Sequence, residues 1–117
     1  MNKNKYMTMA FVAAIAFTGN ITDGIAVSET IGKRINGGAL VVDVRTPFEF
    51  SSGNYSGAVN IPLSEIESRL WEFGSKNRPI VVYCRTGNRS FHAKALLEKH
   101  GFTDVSNGGG LKDMLGK

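Results

Sequence analysis

One cysteine in 117 residues rules out a disulfide within the chain. No apolar run approaches the roughly 20 residues that a membrane-spanning helix needs. No dense basic stripe with interleaved aromatics is present either. The net charge of +4 is mild, and the lysines and arginines sit scattered beside acidic residues, so the footprint of a nucleic-acid binder is missing. Internal repeats and low-complexity linkers are also lacking. With 42% hydrophobic and 21% charged residues, the composition excludes disordered and collagen-like chains. The length suits one domain with a modest core.

The first stretch differs from everything after it. Lys3 and Lys5 precede an apolar run from Met7 to Phe17, and small and polar residues follow. A positive start, a short apolar middle and a small-residue exit form the layout of a secretory signal. The expected division is a signal peptide over residues 1–26 and a single domain over residues 27–117. Cleavage is expected after Ala26, with Ala16 as the alternative. An exported, periplasmic chain follows from this reading, with no stable membrane association after cleavage.

Beyond the leader, apolar patterning predicts an alternation of helices and strands. "SETIGKRINGG" reads as a short helix with Ile31 and Ile35 on one face, ended by Gly37 and Gly38. "ALVVDV" and "PIVVYC" are continuous apolar runs, as in strands buried on both faces of a parallel sheet. "TPFEF" starts a helix: Thr46 caps, Pro47 takes the first position, and Glu49 completes a capping box. "AVNIP" is a short strand stopped by Pro62. "SEIESRLWEFG" reads as a capped helix, with Ser64 and Glu67 as its box and Ile66, Leu70 and Phe73 on one face; Trp71, on another face, is assigned to packing. "SFHAKALLEKHG" is a helix with Ala93, Leu96 and Leu97 inward, closed at Gly101. "TDVSN" is a last strand, and "GGGLKDML" a glycine turn into a helical stub. Such alternation predicts an α/β domain: a parallel β-sheet flanked by helices on both faces through right-handed crossovers. Ligands bind such sheets beyond the carboxyl ends of the strands. Cys84 lies at one of those ends, Asp43 and Arg45 at another.

The lone thiol therefore stands where a strand ends, a glycine turn follows and a helix begins. Gly87 and Asn88 can take conformations that aim successive N–H groups inward. The helix adds its positive N-terminal end. A thiol at the rim of this cradle loses its proton more readily than a free one and becomes a nucleophile. Arg85 and Arg89 add fixed charge suited to an oxyanion. Arg85 is the expected substrate contact; Arg89 contacts substrate or pins the loop to neighbouring carbonyls. Four residues separate Cys84 from Arg89, whereas cysteine-dependent phosphatases and arsenate reductases have five, which would bring Ser90 into use. The smaller ring suits a single sulfur atom better than a phosphoryl group. Asp43 and Arg45 are expected to brace each other, since buried charges pair. His92 is not needed as a base, because the cradle already favours the thiolate. His100 reads as a helix-end cation. Gly108 to Gly110 make a turn or allow close backbone approach to the pocket.

In this order, "VDVRTPFEF", "GNYSGAVNIP", "VVYCRTGNRS" and "NGGGLKDM" resemble a single-domain rhodanese, a thiosulfate sulfurtransferase, over residues 27 to 116. The short exported layout and the ending "GGLKDM" are similar to periplasmic members of that family. The resemblance implies the three-layer rhodanese fold and a ping-pong reaction. Cys84 would take the outer sulfur of thiosulfate as a persulfide and pass it to cyanide or a thiol. Arg85, Thr86, Gly87, Asn88 and Arg89 would supply the cradle, with Asp43 and Arg45 supporting it. No metal or organic cofactor is implied, the partners are small-molecule substrates, and the chain is read as a monomer. The alternative is a module that holds or relays sulfur without turnover. One departure stands out: residues 53–57 read Gly-Asn-Tyr-Ser-Gly where many relatives have Gly-His-Ile-Pro-Gly, so no histidine role transfers to Asn54.

Overall fold

A computed structural model describes residues 29–117, and the expected signal peptide lies outside the described residues. Residues 29–36 are helical (α1). The chain then runs through β1 (Leu40–Asp43), α2 (Pro47–Ser51), β2 (Val59–Asn60), two 3-10 segments (Leu63–Glu65 and Glu67–Phe73), β3 (Ile80–Cys84), α3 (Asn88–Lys99), β4 (Val105–Gly110) and α4 (Leu111–Met114). The four strands form one parallel sheet in the order β2-β1-β3-β4. This is the expected α/β architecture.

The two apolar runs occupy the centre of the sheet, and all five residues of β3 are buried. Successive side chains of a strand point to opposite faces. On one face Val42, Ile80, Val82 and Cys84 join Ile61, Ile66, Phe73, Ala93, Leu97 and Phe102 in a single cluster. On the other, Val41, Asp43, Val81 and Tyr83 are equally covered. A side chain of this kind contributes about 1.5–3 kcal/mol when fully buried, so the sheet centre is the rigid part of the molecule. The register sets Asp43 against Tyr83 and Asn60, and Cys84 against Gly110. The carboxyl ends of β1, β3 and β4 therefore meet in one place.

Local signals produce most of the elements. Thr46 caps α2 by accepting from the Glu49 amide at 3.2 Å, while Glu49 Oε1 accepts from the Thr46 amide at 3.0 Å, the reciprocal box expected from the sequence. Gly101, at φ +94°, follows α3 in the left-handed conformation that ends helices.

Residues 64–73 depart from the expected α-helix. Ser64 lies inside the first 3-10 segment and caps nothing, and the backbone bonds span three residues, as in Arg69 N–H to Ile66 C=O at 3.0 Å. Arg69 breaks the winding with φ −129° and ψ 27°. Its guanidinium is held by Glu65 at 2.8 Å and Glu72 at 2.6 Å. The kink has a packing reason. A uniform 3-10 helix of three residues per turn would set Ile66 and Phe73 on different faces, and the break lets both bury completely. Glu67, expected in the capping box, instead lies 2.9 Å from the His100 ring at the end of α3. Trp71 is 78% exposed rather than packed. Gly108 to Gly110 extend β4 to its end and are not the turn expected between the last strand and the helical stub, with an irregularity opposite Cys84.

Candidate active site

At the end of β3 the chain leaves the sheet at Cys84 and re-enters regular structure at Asn88. Gly87 makes this possible: it holds φ +104° as the residue before α3, a conformation that costs a side-chain-bearing residue about 1–2 kcal/mol. The turn brings three donors onto one sulfur. The Gly87 N–H lies 3.0 Å from Cys84 Sγ, and the Ser90 N–H and hydroxyl each lie 3.4 Å away. Burial pushes the Cys84 thiol up, but donation from the Ser90 hydroxyl and from the Ser90, Gly87 and Thr86 amides more than offsets it. The net result is a thiol below its ordinary value. Hydrogen bonds to the charged form favour that form, and the first turn of α3 adds its dipole.

Cys84 is 1% exposed. The residues after it, Arg85 and Thr86, line a cleft of about 600 Å³ together with Phe48, Glu49, Leu111 and Lys112. This volume lies within the usual range of about 300–1,000 Å³ for small-molecule sites. Arg85 is exposed and makes no ion pair among the described residues, so its charge is free to meet an anion. Thr86 and Asn88 are exposed on the same turn.

Arg89 behaves differently from the expectation that it meets substrate or backbone carbonyls. Its two terminal nitrogens grip the Glu49 carboxylate at 2.8 and 3.0 Å, a bidentate pair with good geometry. The Arg89 guanidinium and the Thr46 amide pull Glu49 down to about 2. The stabilisation from this pair is complete above the ordinary carboxylate range near 4.5 and fades as pH falls toward about 2. The pair ties the start of α3 to α2.

Asp43 and Arg45 sit side by side under the loop layer. The Arg45 guanidinium donates to both Asp43 oxygens at 2.6–3.0 Å, and the Arg45 amide adds a bond of 2.9 Å. Arg45 Nη2 reaches on to the Gly53 carbonyl at 2.7 Å. Its cationic carbon lies 5.7 Å from the centre of the Tyr83 ring. Burial pushes the Tyr83 phenol up to about 12, and its oxygen accepts from the Tyr55 amide at 2.9 Å. The pair thus fixes residues 53–55 against the sheet. Asn54 donates to Phe50 C=O within its own turn and reaches no site residue. His92 is exposed and packs edge-on against Phe91.

Three site residues escaped the sequence reading. Glu49 was legible only as a cap, and Ser90 only as the nucleophile-loop position of a longer cradle. Asn107 gave no signal, being an uncharged residue in a predicted strand. The structure joins it to Ser90 Oγ at 2.7 Å and to the Gly87 carbonyl at 3.1 Å. The glycines behind it make room. A Cβ on Gly110 would overlap the Arg85 carbonyl oxygen and lie 2.8 Å from its carbon and 3.1 Å from Thr86 Cα. Those are backbone atoms of the cradle and have no way to swing aside. Gly110→Ala is therefore expected to cost about 1–3 kcal/mol, read as a lower urea midpoint, and to make the Cys84 thiol harder to ionise by displacing the amides that favour the thiolate.

Comparison with known proteins places this geometry among relatives. A family model described as "Rhodanese-like domain" matches residues 28–115. The thiosulfate sulfurtransferase PspE of Escherichia coli (strain K12) is 42% identical over 74 residues, covering 62% of this chain and 71% of the relative. A sulfurtransferase of Allochromatium vinosum is 38% identical over 82 residues, covering 68% and 76%. Among solved structures, a rhodanese from E. coli determined with anions superimposes with a TM-score of 0.62 at 41% identity, covering 64% of this chain and 89% of the other.

Proposed function

This chain belongs to the rhodanese-like sulfurtransferase family, and from that premise we propose that it moves sulfane sulfur from thiosulfate to a thiophilic acceptor through a Cys84 persulfide. The Cys84 thiolate attacks the outer sulfur of thiosulfate. A new S–S bond forms, the bond to the sulfonate sulfur breaks, and its electron pair leaves with sulfite. Cyanide or a thiolate then attacks the outer sulfur of the persulfide. Attack by cyanide yields thiocyanate and returns the Cys84 thiolate, so the cycle balances without metal or organic cofactor.

The observation that carries this reading is the convergence of the Gly87 and Ser90 donors on Sγ. The same donors that stabilise the thiolate can serve the persulfide anion. Arg85 is assigned to the incoming oxyanion, and Thr86 and Asn88 to the shape of the turn. Arg89 acts through Glu49 to hold the loop, and the Asp43–Arg45 pair supports it from below. The anions noted for the E. coli rhodanese agree with an oxyanion substrate. The basic, apolar and small-residue layout of residues 1–26 supports an exported enzyme.

Intact-mass measurement after thiosulfate treatment tests the proposal. The expected result is a gain of one sulfur atom per chain with release of one sulfite, reversed by cyanide as thiocyanate. The same spectrum reads any loss of residues 1–26. A chain that gains no mass and releases no sulfite would leave only the relay reading, in which sulfur arrives from another donor, and the thiosulfate assignment would fall.

A further inference from the structure

Asn107 carries no charge and makes no hydrogen bond to Cys84, yet three hydrogen bonds from separate parts of the site meet at its carboxamide. Nδ2 donates to the Gly87 carbonyl at 3.1 Å. Oδ1 accepts from the Gly109 amide at 2.9 Å and from the Ser90 hydroxyl at 2.7 Å. The Gly87 C=O and the Gly109 N–H have fixed polarity, so they set which end of the carboxamide faces which way. Gly87 and Ser90 are also the residues whose N–H groups reach the sulfur, at 3.0 and 3.4 Å. Asn107 therefore holds, from β4, both arms of the cradle.

The Ser90 hydroxyl has one proton to give. It lies 2.7 Å from Asn107 Oδ1 and 3.4 Å from Cys84 Sγ. With a neutral thiol the shorter bond to Asn107 takes that proton. With negative charge on sulfur the proton turns to the anion, and charge-assisted bonds are the stronger kind. Oδ1 still holds the Gly109 amide after the turn, so the half-buried acceptor keeps a partner and the turn costs little. We infer that Asn107 is a positioning residue of the nucleophile: it fixes Gly87 and Ser90 so that their donors converge on sulfur. The inference deepens the reading of Cys84 as the reacting group and rests on it.

The charged and titratable groups on the elements around the sulfur stay in place during the test. They are Arg85 and Arg89 from the loop and the start of α3, Glu49 from α2, the Asp43–Arg45 pair from the end of β1, Tyr83 from β3 and Asp113 from α4. The pH profile of iodoacetamide alkylation of Cys84 is measured for the wild-type full chain, Asn107→Ala, Asn107→Asp and Ser90→Ala. The assay needs no sulfur donor, so it stands whether or not thiosulfate loads the protein. Asn107→Ala is expected to move the alkylation midpoint up by about one pH unit, which makes the thiolate about tenfold scarcer at a pH below both midpoints. Asn107→Asp keeps the size but loses the donor to Gly87, and is expected to move it at least as far. The double variant with Ser90→Ala should shift less than the two single shifts summed, because part of the Asn107 effect runs through the Ser90 hydroxyl. A folded Asn107→Ala or Asn107→Asp protein with an unchanged midpoint overturns the inference. Loss of the cooperative melt in both variants also overturns it, since Asn107 would then belong to the fold and not to the nucleophile.

Discussion

Cys84→Ser is expected to lower thiosulfate-to-cyanide sulfur transfer by about 10⁴-fold or more, toward the uncatalysed rate. The change replaces one atom at a buried position. A serine oxygen there can still accept from the Gly87 and Ser90 amides, so the fold should survive with a nearly unchanged urea midpoint. What disappears is the chemistry. The hydroxyl ionises far above neutral pH, where the cradle cannot bring it into range, and oxygen cannot hold the transferred atom as a persulfide. The remaining machinery, including Arg85 and the cleft, would bind an anion without moving sulfur. Steady-state thiocyanate formation, measured beside the melt, separates loss of chemistry from loss of fold. Full activity in the serine variant would remove Cys84 from the mechanism.

The largest effect on stability is expected for Asp43→Ala. Asp43 is fully buried and Arg45 is 6% exposed, so the substitution leaves a guanidinium without its carboxylate in a dry place. Breaking a buried pair from one side costs about 3–5 kcal/mol, a large share of the roughly 5–15 kcal/mol that holds a typical domain together. The Arg45 amide also loses its acceptor, and the link through Gly53 to the loop over the sheet loosens. Urea denaturation reads the loss as a lower midpoint. Transfer activity should fall as well, because the end of β1 lies beside the end of β3. A stability loss under 1 kcal/mol would show that water reaches Arg45 and that the pair is not buried in solution.

The sheet and its site were legible where the sequence carries a strong local signal. "ALVVDV" and "PIVVYC" are too apolar to lie anywhere but the sheet centre, and Thr46-Pro47 with Glu49 specifies a helix start by itself. The position of Cys84 between a strand, a glycine and a helix followed from the same logic. Residues 64–73 were not legible, because the spacing of Ile66 and Phe73 fits two α-helical turns as well as it fits a kinked 3-10 path. The choice between them depends on how Ile66 and Phe73 pack against the rest of the core, which one sequence does not display. Trp71 was misplaced with that helix. Glu49 and Asn107 belong to the site through long-range partners, Arg89 and Ser90, and a long-range pair leaves no periodic trace in one sequence. The glycines of β4 left a turn and a close backbone approach both open; the structure identifies Arg85 and Thr86 as what Gly110 meets.

Titration of the Cys84 thiolate by ultraviolet absorbance, taken as the difference between the wild-type protein and Cys84→Ser, addresses the amide cradle itself. The chain holds one cysteine, so the difference between the two proteins belongs to one group. The account predicts an inflection clearly below the value of about 8.5 for a free thiol. An inflection at or above that value would mean that burial outweighs the converging donors, and the proposed nucleophile would have no physical basis.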